Sequence, residues 1–177
     1  MNYCSNCGSE QLVKKVPEGD NKPRICCENC GTIHYSNPKM VVGCLPVWEG
    51  KILLCRRAIE PRKGYWGLPA GYLENKESVE EGALRETLEE SGAEVDIVRM
   101  HAIYNIPRIS QVYIFFLADM RGPELDPGEE SLEAKLFELD EIPYDEMAFP
   151  SSSYAIRKYK EDLKDGFKAV HLGAWTH

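Results

Sequence analysis

A chain of 177 residues with 43% hydrophobic and 28% charged side chains is long enough to bury a real core, and it reads as one globular domain with room for a small appendage. Its formal net charge of −8 argues against nucleic acid as a partner, because neutralising phosphates takes a basic surface, and an anionic substrate would have to arrive with cations. No apolar run reaches the length needed to span a bilayer and no basic, apolar leader opens the chain, so a cytoplasmic, unprocessed protein with no membrane partner is expected.

The first element in chain order is a cysteine module. Five of the seven cysteines lie within residues 1–30, a clustering that favours a metal site over a disulfide framework. Cys4-x2-Cys7 and Cys27-x2-Cys30, nineteen residues apart, have the two-knuckle spacing of structural zinc. Four thiolates close a tetrahedral shell, so Zn²⁺ there would fold residues 1–36 and do no chemistry. Cys26 reads as a bystander, and Cys44 and Cys55 as core residues. Lys14, Lys15, Lys22 and Arg24 are balanced by Glu10, Glu18, Asp20 and Glu28, which leaves no basic footprint and points to packing or dimer building.

After Asn37-Pro38 the texture changes to apolar runs. Residues 39–48 and 51–58 read as strands of a hairpin turning at Glu49-Gly50. A Gly- and Pro-punctuated loop, residues 60–77, leads into an acidic helix. Further strands are expected over 93–104, 110–120 and 133–139, followed by a helix that starts near Ser151-Ser152-Ser153 and runs to about residue 163. Residues 166–177 show no readable element. The expected division is 1–36, 37–150 and a helix with tail over 151–177.

The acidic helix carries the chemistry. Ser78 and Glu81 form a capping box and Gly92 supplies a stop, which sets the helix at 79–91. At about 100° per residue, Glu86, Glu89 and Glu90 share one face, while Leu84 and Leu88 fall opposite and are expected to meet the core. Gly82, one turn before Glu86, leaves room for something to approach the backbone. Arg85 is placed to reach Glu89, but Glu86 and Glu90 have no partner in the segment. Carboxylates converging on one face without counter-charge suit a hard cation, Mg²⁺ or Mn²⁺.

Gly71, five residues, Glu77, seven residues, Arg85-Glu86, two residues, Glu89-Glu90, one residue, Gly92-Ala93: this array resembles the box of the Nudix hydrolases, G-x5-E-x7-R-E-U-x-E-E-x-G-U. Thr87, in place of an aliphatic residue, is the departure. The resemblance implies an α/β fold, a sandwich of helices around a mixed sheet, and Mg²⁺-dependent hydrolysis of a diphosphate linked to a nucleoside. It implies Glu86, Glu89 and Glu90 as metal ligands, Arg85 orienting them, Glu77 as a supporting acid, and the Ala70 carbonyl as a further ligand. Glu129, Glu130 and Glu133 are candidates for an acid outside the box, and the general base stays open among Glu89, Glu90, Glu130 and Glu133.

Arg56, Arg57 and Arg62 together suit a diphosphate. Tyr72, Tyr104 and Tyr113 are near enough to the box to meet a purine or flavin ring, whereas Trp66 reads as core. NADH pyrophosphatases carry an S-Q-P-W-P-F-P-x-S array after the box. Here Ser110-Gln111 is followed by Val112-Tyr113-Ile114. The chain looks more like the ribbon-bearing hydrolases of ADP-ribose and FAD, which implies release of AMP and, commonly, a homodimer. A NADH pyrophosphatase-like enzyme and a silent nucleotide-sensing regulator are the alternatives.

Overall fold

The computed structural model describes residues 1–176. They divide into two compact units, Met1–Asn37 and the residues from Pro38 onward. The first unit is a three-stranded antiparallel sheet, β1 (Leu12–Lys15), β2 (Arg24–Cys27) and β3 (Ile33–His34). Two tight turns carry its cysteine pairs. In each, the N–H of a glycine, Gly8 or Gly31, donates to the carbonyl of the first cysteine, Cys4 or Cys27, at 2.9 Å. Both glycines have positive φ, 73° and 71°, a region that a side chain would strain.

The second unit is built on a mixed sheet. It contains β4 (Lys39–Trp48), β5 (Lys51–Arg57), β6 (Trp66–Gly67), β7 (Ala70–Tyr72), β8 (Val95–Ile106), β9 (Gln111–Met120), β10 (Ser131–Phe137) and β11 (His171–Ala174). The main order is β10-β5-β4-β9-β8-β11, with β6 on β5 and β7 on β4. The β4–β9 and β11–β8 pairs are parallel and the others antiparallel. Glu49 and Gly50 turn the β4–β5 hairpin with φ of 48° and 81°, as a tight two-residue turn requires. Beyond Val47↔Ile52 the two strands part, and β6 and β7 pair in the gap they leave.

Alternation along the strands builds two cores. Val42, Cys44, Leu53, Ile114 and Phe116 pack on the face covered by α1 (Val79–Ser91). Val41, Leu45, Ile52, Leu54, Phe115 and Leu117 pack with Ala155, Ile156 and Tyr159 of α2 (Pro150–Asp165) on the other. The expected sandwich of helices about a mixed sheet forms.

Three local expectations are corrected. Leu84 and Leu88 are 37% and 50% exposed, and α1 instead buries Ala83, Thr87 and Ser91. Small residues bring the helix close to the sheet, and the Thr87 hydroxyl is satisfied by the Ala83 carbonyl at 2.8 Å. Helix α2 starts at Pro150, so Ser151 and Ser152 lie buried in its first turn and do not cap it. Residues 171–174, unreadable in the sequence, add a parallel strand beside β8. His177, the last residue of the expected tail, lies outside the described residues.

Candidate active site

The capping box forms as its sequence predicts: the Glu81 N–H donates to Ser78 Oγ at 3.1 Å, and the Ser78 N–H to the Glu81 carboxylate at 2.7 Å. From this fixed start Arg85 projects into a ring of acceptors. Its Nη1 donates to Glu86 at 2.7 Å and Glu89 at 3.0 Å, its Nε and Nη2 grip Glu77 at 3.0 and 2.7 Å, and Nη2 also reaches the Tyr72 carbonyl. Glu86 is therefore paired, which the segment read alone did not show. Arg85 holds the Glu77 carboxyl down at about 2.

The space beside Gly82 is not open: Glu77, Val42 and Leu73 fill it, and a Cβ there would press on them. Gly71 is required for a different reason. A Cβ at Gly71 would overlap the Glu86 carboxylate, so a glycine lets that side chain lie against the backbone of β7.

Glu90 lies deeper. The Ala70 N–H donates to its Oε2 at 3.3 Å, and the Arg57 charge favours its ionised form. Burial, followed by the charge of Glu86, pushes its carboxyl up to about 8. Burial also raises Glu86, and Glu130 opposes ionisation of both. Clustered oxygen donors, with Glu90 costly to ionise unaided, fit a hard divalent cation that would favour its charged form.

These carboxylates border a cavity of about 720 Å³ that residues of β4, β5 and β7 also line. Ala70, Glu86, Glu89, Glu90, Arg85, Glu129 and Glu130 all border it. Tyr72, Tyr113, Phe115 and Phe149 bring aromatic surface to the same cavity. Gln111 joins two of the rings: its Nε2 donates to Tyr72 Oη at 2.9 Å, and Tyr113 Oη donates to its Oε1 at 3.1 Å. Arg57 also lines it, 5.1 Å from the Phe149 ring and held by the Pro61 carbonyl, and its charge acts on both Glu90 and Tyr113.

Several expected contacts are not brought to the cavity. Arg56 donates to the Gly64 carbonyl at 2.9 Å and lies over Trp66, which is buried in the core. Arg62 turns away at φ 67° and stacks on Tyr65. Tyr104 is a core residue against Tyr154. Glu133 stands opposite Arg56 and alternates with Phe137, which places it on the sheet face away from α1. Glu77 supports Arg85 and does not line the cavity. Gln111 and Phe149 escaped the sequence reading. Alternation in β9, which sets Gln111, Tyr113 and Phe115 on one side, was the available signal for the first; nothing marked Phe149.

In the first unit the Sγ atoms of Cys4, Cys7, Cys27 and Cys30 lie within 4.8 Å of one another. Cys4–Cys30 and Cys7–Cys27 separations of 3.7 and 3.6 Å match the roughly 3.8 Å edge of a tetrahedral zinc–thiolate shell. Cys26 turns its sulfur to the Arg24 carbonyl, away from the cluster.

The sequence matches the NUDIX domain family over residues 37–159 and the zinc-ribbon family described as Nudix N-terminal over residues 2–36. The crystal structure of a NUDIX hydrolase from Nitrosomonas europaea superposes with a TM-score of 0.94, at 48% identity over 99% of both chains. The ADP-ribose pyrophosphatase of Methanocaldococcus jannaschii is 34% identical over 113 residues, 62% of this chain and 67% of that protein. The NAD-capped RNA hydrolase NudC of Stutzerimonas stutzeri is 31% identical over 144 residues, 80% of this chain. The chain spans about half the length of that relative, 49%.

Proposed function

The chain belongs to the Nudix hydrolases, and from that premise we propose that it hydrolyses the diphosphate joining a nucleoside to a second moiety, with ADP-ribose or FAD as substrate and AMP as a product. One observation carries this reading: a single cavity is lined by carboxylates, by aromatic rings and by Arg57, whose charge acts on Glu90 and Tyr113 alike. A nucleotide needs all three parts, a flat apolar wall for its ring, a cation for its phosphates, and acids to hold more cations.

In this reading Glu86, Glu89 and Glu90, with the Ala70 carbonyl, hold Mg²⁺, and the four cysteines hold Zn²⁺. Bound Mg²⁺ would offset phosphate charge and polarise the phosphoryl oxygens. Arg85 keeps Glu86 and Glu89 oriented through its two Nη1 bonds. Arg57 grips the diphosphate, while Tyr72, Tyr113 and Phe149 bound the ring. Glu130 borders the cavity, has no ion-pair partner among the described residues and is near enough to Glu86 and Glu90 for its charge to act on both, so it is assigned the proton of the attacking water.

The likeness to a NudC protein favours a second reading, a dinucleotide or dinucleotide-capped RNA substrate. Against it, the residues after Ser110-Gln111 are Val112-Tyr113-Ile114, and they run as β9. Purified chain with Mg²⁺ is offered ADP-ribose, FAD, NADH and NAD-capped RNA in ¹⁸O-water. The expected result is AMP from ADP-ribose or FAD, with solvent oxygen in one product only. Inorganic phosphate as the primary product would falsify the diphosphatase assignment, and turnover confined to NADH or capped RNA would replace the first reading with the second.

A further inference from the structure

Away from the cavity, His101 of β8, Asp162 of α2 and His171 of β11 meet, with one ligand atom from each within 4.8 Å of the others. We propose that this cluster binds a divalent transition cation of the zinc class, separate from the acidic face of α1 and from the four cysteines, and that the cation fastens the C-terminal strand to the sheet.

The backbone is shaped to bring His101 there. Met100 pairs with Phe116 and Ala102 with Phe115, so His101 is the extra residue of a β-bulge, and its ring is fully buried against α2. Bulges re-aim side chains. The next residue, Ala102, is the one paired with His171, which sets the two imidazoles 5.2 Å apart, edge to face.

The hydrogen bonds of His101 leave one atom unexplained. Its Nε2 lies 2.9 Å from the Ala155 carbonyl, an acceptor, so Nε2 carries the hydrogen and Nδ1 presents a lone pair. That buried Nδ1 has no hydrogen-bond partner among the described residues and faces Asp162 Oδ2 at 3.6 Å, too far for a hydrogen bond. An imidazole anchored through its other N–H on a backbone carbonyl is the usual second support of a metal-ligating histidine.

The remaining donors are in place. His171 Nε2 stands 2.9 Å from Asp162 Oδ1. Two ligand atoms about 2.1 Å from one tetrahedral cation lie about 3.4 Å apart; here Asp162 turns one oxygen to each imidazole, Oδ1 at 2.9 Å from His171 Nε2 and Oδ2 at 3.6 Å from His101 Nδ1. A small cavity of about 150 Å³, bordered by Asp162, Asp165 and His171, gives access and space for a further ligand.

Charge decides the class of cation. Asp162 accepts from Arg99 at 2.9 Å, Glu161 is paired with Lys158, and Asp165 shares the small cavity with Lys168. Three acids against three bases leave little net attraction for a hard cation, so two imidazole nitrogens must supply the affinity, and these select Zn²⁺, Ni²⁺ or Cu²⁺ over Mg²⁺. A clasp of hydrogen bonds, Arg99–Asp162–His171, accounts for two of the three residues but not for the bulge that inserts His101.

The test uses the full chain with its cysteines loaded with zinc and Mg²⁺ in large excess, titrated with Ni²⁺ by calorimetry and melted with and without added Zn²⁺. Wild type is expected to bind one equivalent that His171→Ala and His171→Gln bind more than about 100-fold more weakly, with melting raised by Zn²⁺ only in wild type. His171→Gln retains a donor for Asp162, so it separates ligation from simple loss of the clasp. Glu90→Gln should keep the extra equivalent. The same stoichiometry in wild type and both His171 variants, or loss of the equivalent in Glu90→Gln, overturns the proposal.

Discussion

At the scale of single residues, the box acids show how much of a site spacing alone can carry. Helical geometry alone sets Glu86, Glu89 and Glu90 on one face, because a 3.6-residue period is local. Their environments were not local. Arg85 reaches back to Glu77, Gly71 approaches from β7, and Glu90 sinks beneath Ala70, and none of these follows from the period. Arg56, Arg62 and Tyr104 looked equivalent to Arg57 and Tyr72 in sequence, yet loop path and strand face send them elsewhere. The depth of Glu90 has a thermodynamic consequence. In the metal-free folded chain it stays protonated up to about 8, whereas in the unfolded chain it ionises in the ordinary carboxylate range. Between those limits the unfolded state binds fewer protons, so stability falls as pH rises, by on the order of 5 kcal/mol at most. Urea denaturation in a chelator from pH 5 to 8 should show that decline, and Glu90→Gln should flatten it. An unchanged slope in the variant would mean that Glu90 is not its source. With Mg²⁺ present, Glu86→Gln and Glu90→Gln should each lower kcat by about 100-fold or more while the chain remains folded by circular dichroism.

At the scale of elements, the helix carrying those acids packs by its small residues. The sequence placed its termini correctly through Ser78, Glu81 and Gly92, since caps are local signals. It misplaced the buried stripe because two leucines opposite the acids looked like a core face. The sheet selects Ala83, Thr87 and Ser91, which lie between the acids and the leucines and let the helix sit close. Leu84→Ala and Leu88→Ala should therefore cost well under the 2 to 5 kcal/mol of a buried leucine truncation, whereas Ala83→Leu should destabilise by about 1 to 3 kcal/mol through overpacking. Thermal melts of the three variants check this ordering, and the reverse ordering would contradict the packing described. In Ala83→Leu the helix must lift, so activity should fall with stability. Strand β11 was illegible for a related reason: four residues pairing in parallel with a strand some seventy positions earlier leave no local pattern.

At the scale of the whole molecule, the chain is two units with different sources of stability. The later unit buries two apolar clusters on either side of its sheet, and the cavity takes its walls from α1, α2 and several of its strands. The first unit has short strands, and its buried hydrophobic residues are Cys4, Cys26 and Cys27. A unit with so little apolar core needs a staple, and zinc bound by the four thiolates would supply one on the order of 10 kcal/mol. The clustering of the four cysteine sulfurs follows a fixed spacing, the kind that metal ligation imposes. Composition shifts at Asn37-Pro38, and the compact units divide between these two residues. Removing zinc with a thiolate-competent chelator should consequently unfold residues 1–36 and leave the sheet unit with its core and its acids. After the chelator is removed and Mg²⁺ restored, ADP-ribose or FAD turnover should return while the cysteines stay reactive to a thiol reagent. Hydrogen exchange supplies the structural readout: rapid exchange at Leu12–Lys15 and Arg24–Cys27, with protection kept along Gln111–Met120. A zinc-free chain that keeps this protection but shows no turnover would mean that the cysteine unit serves catalysis as well as its own folding.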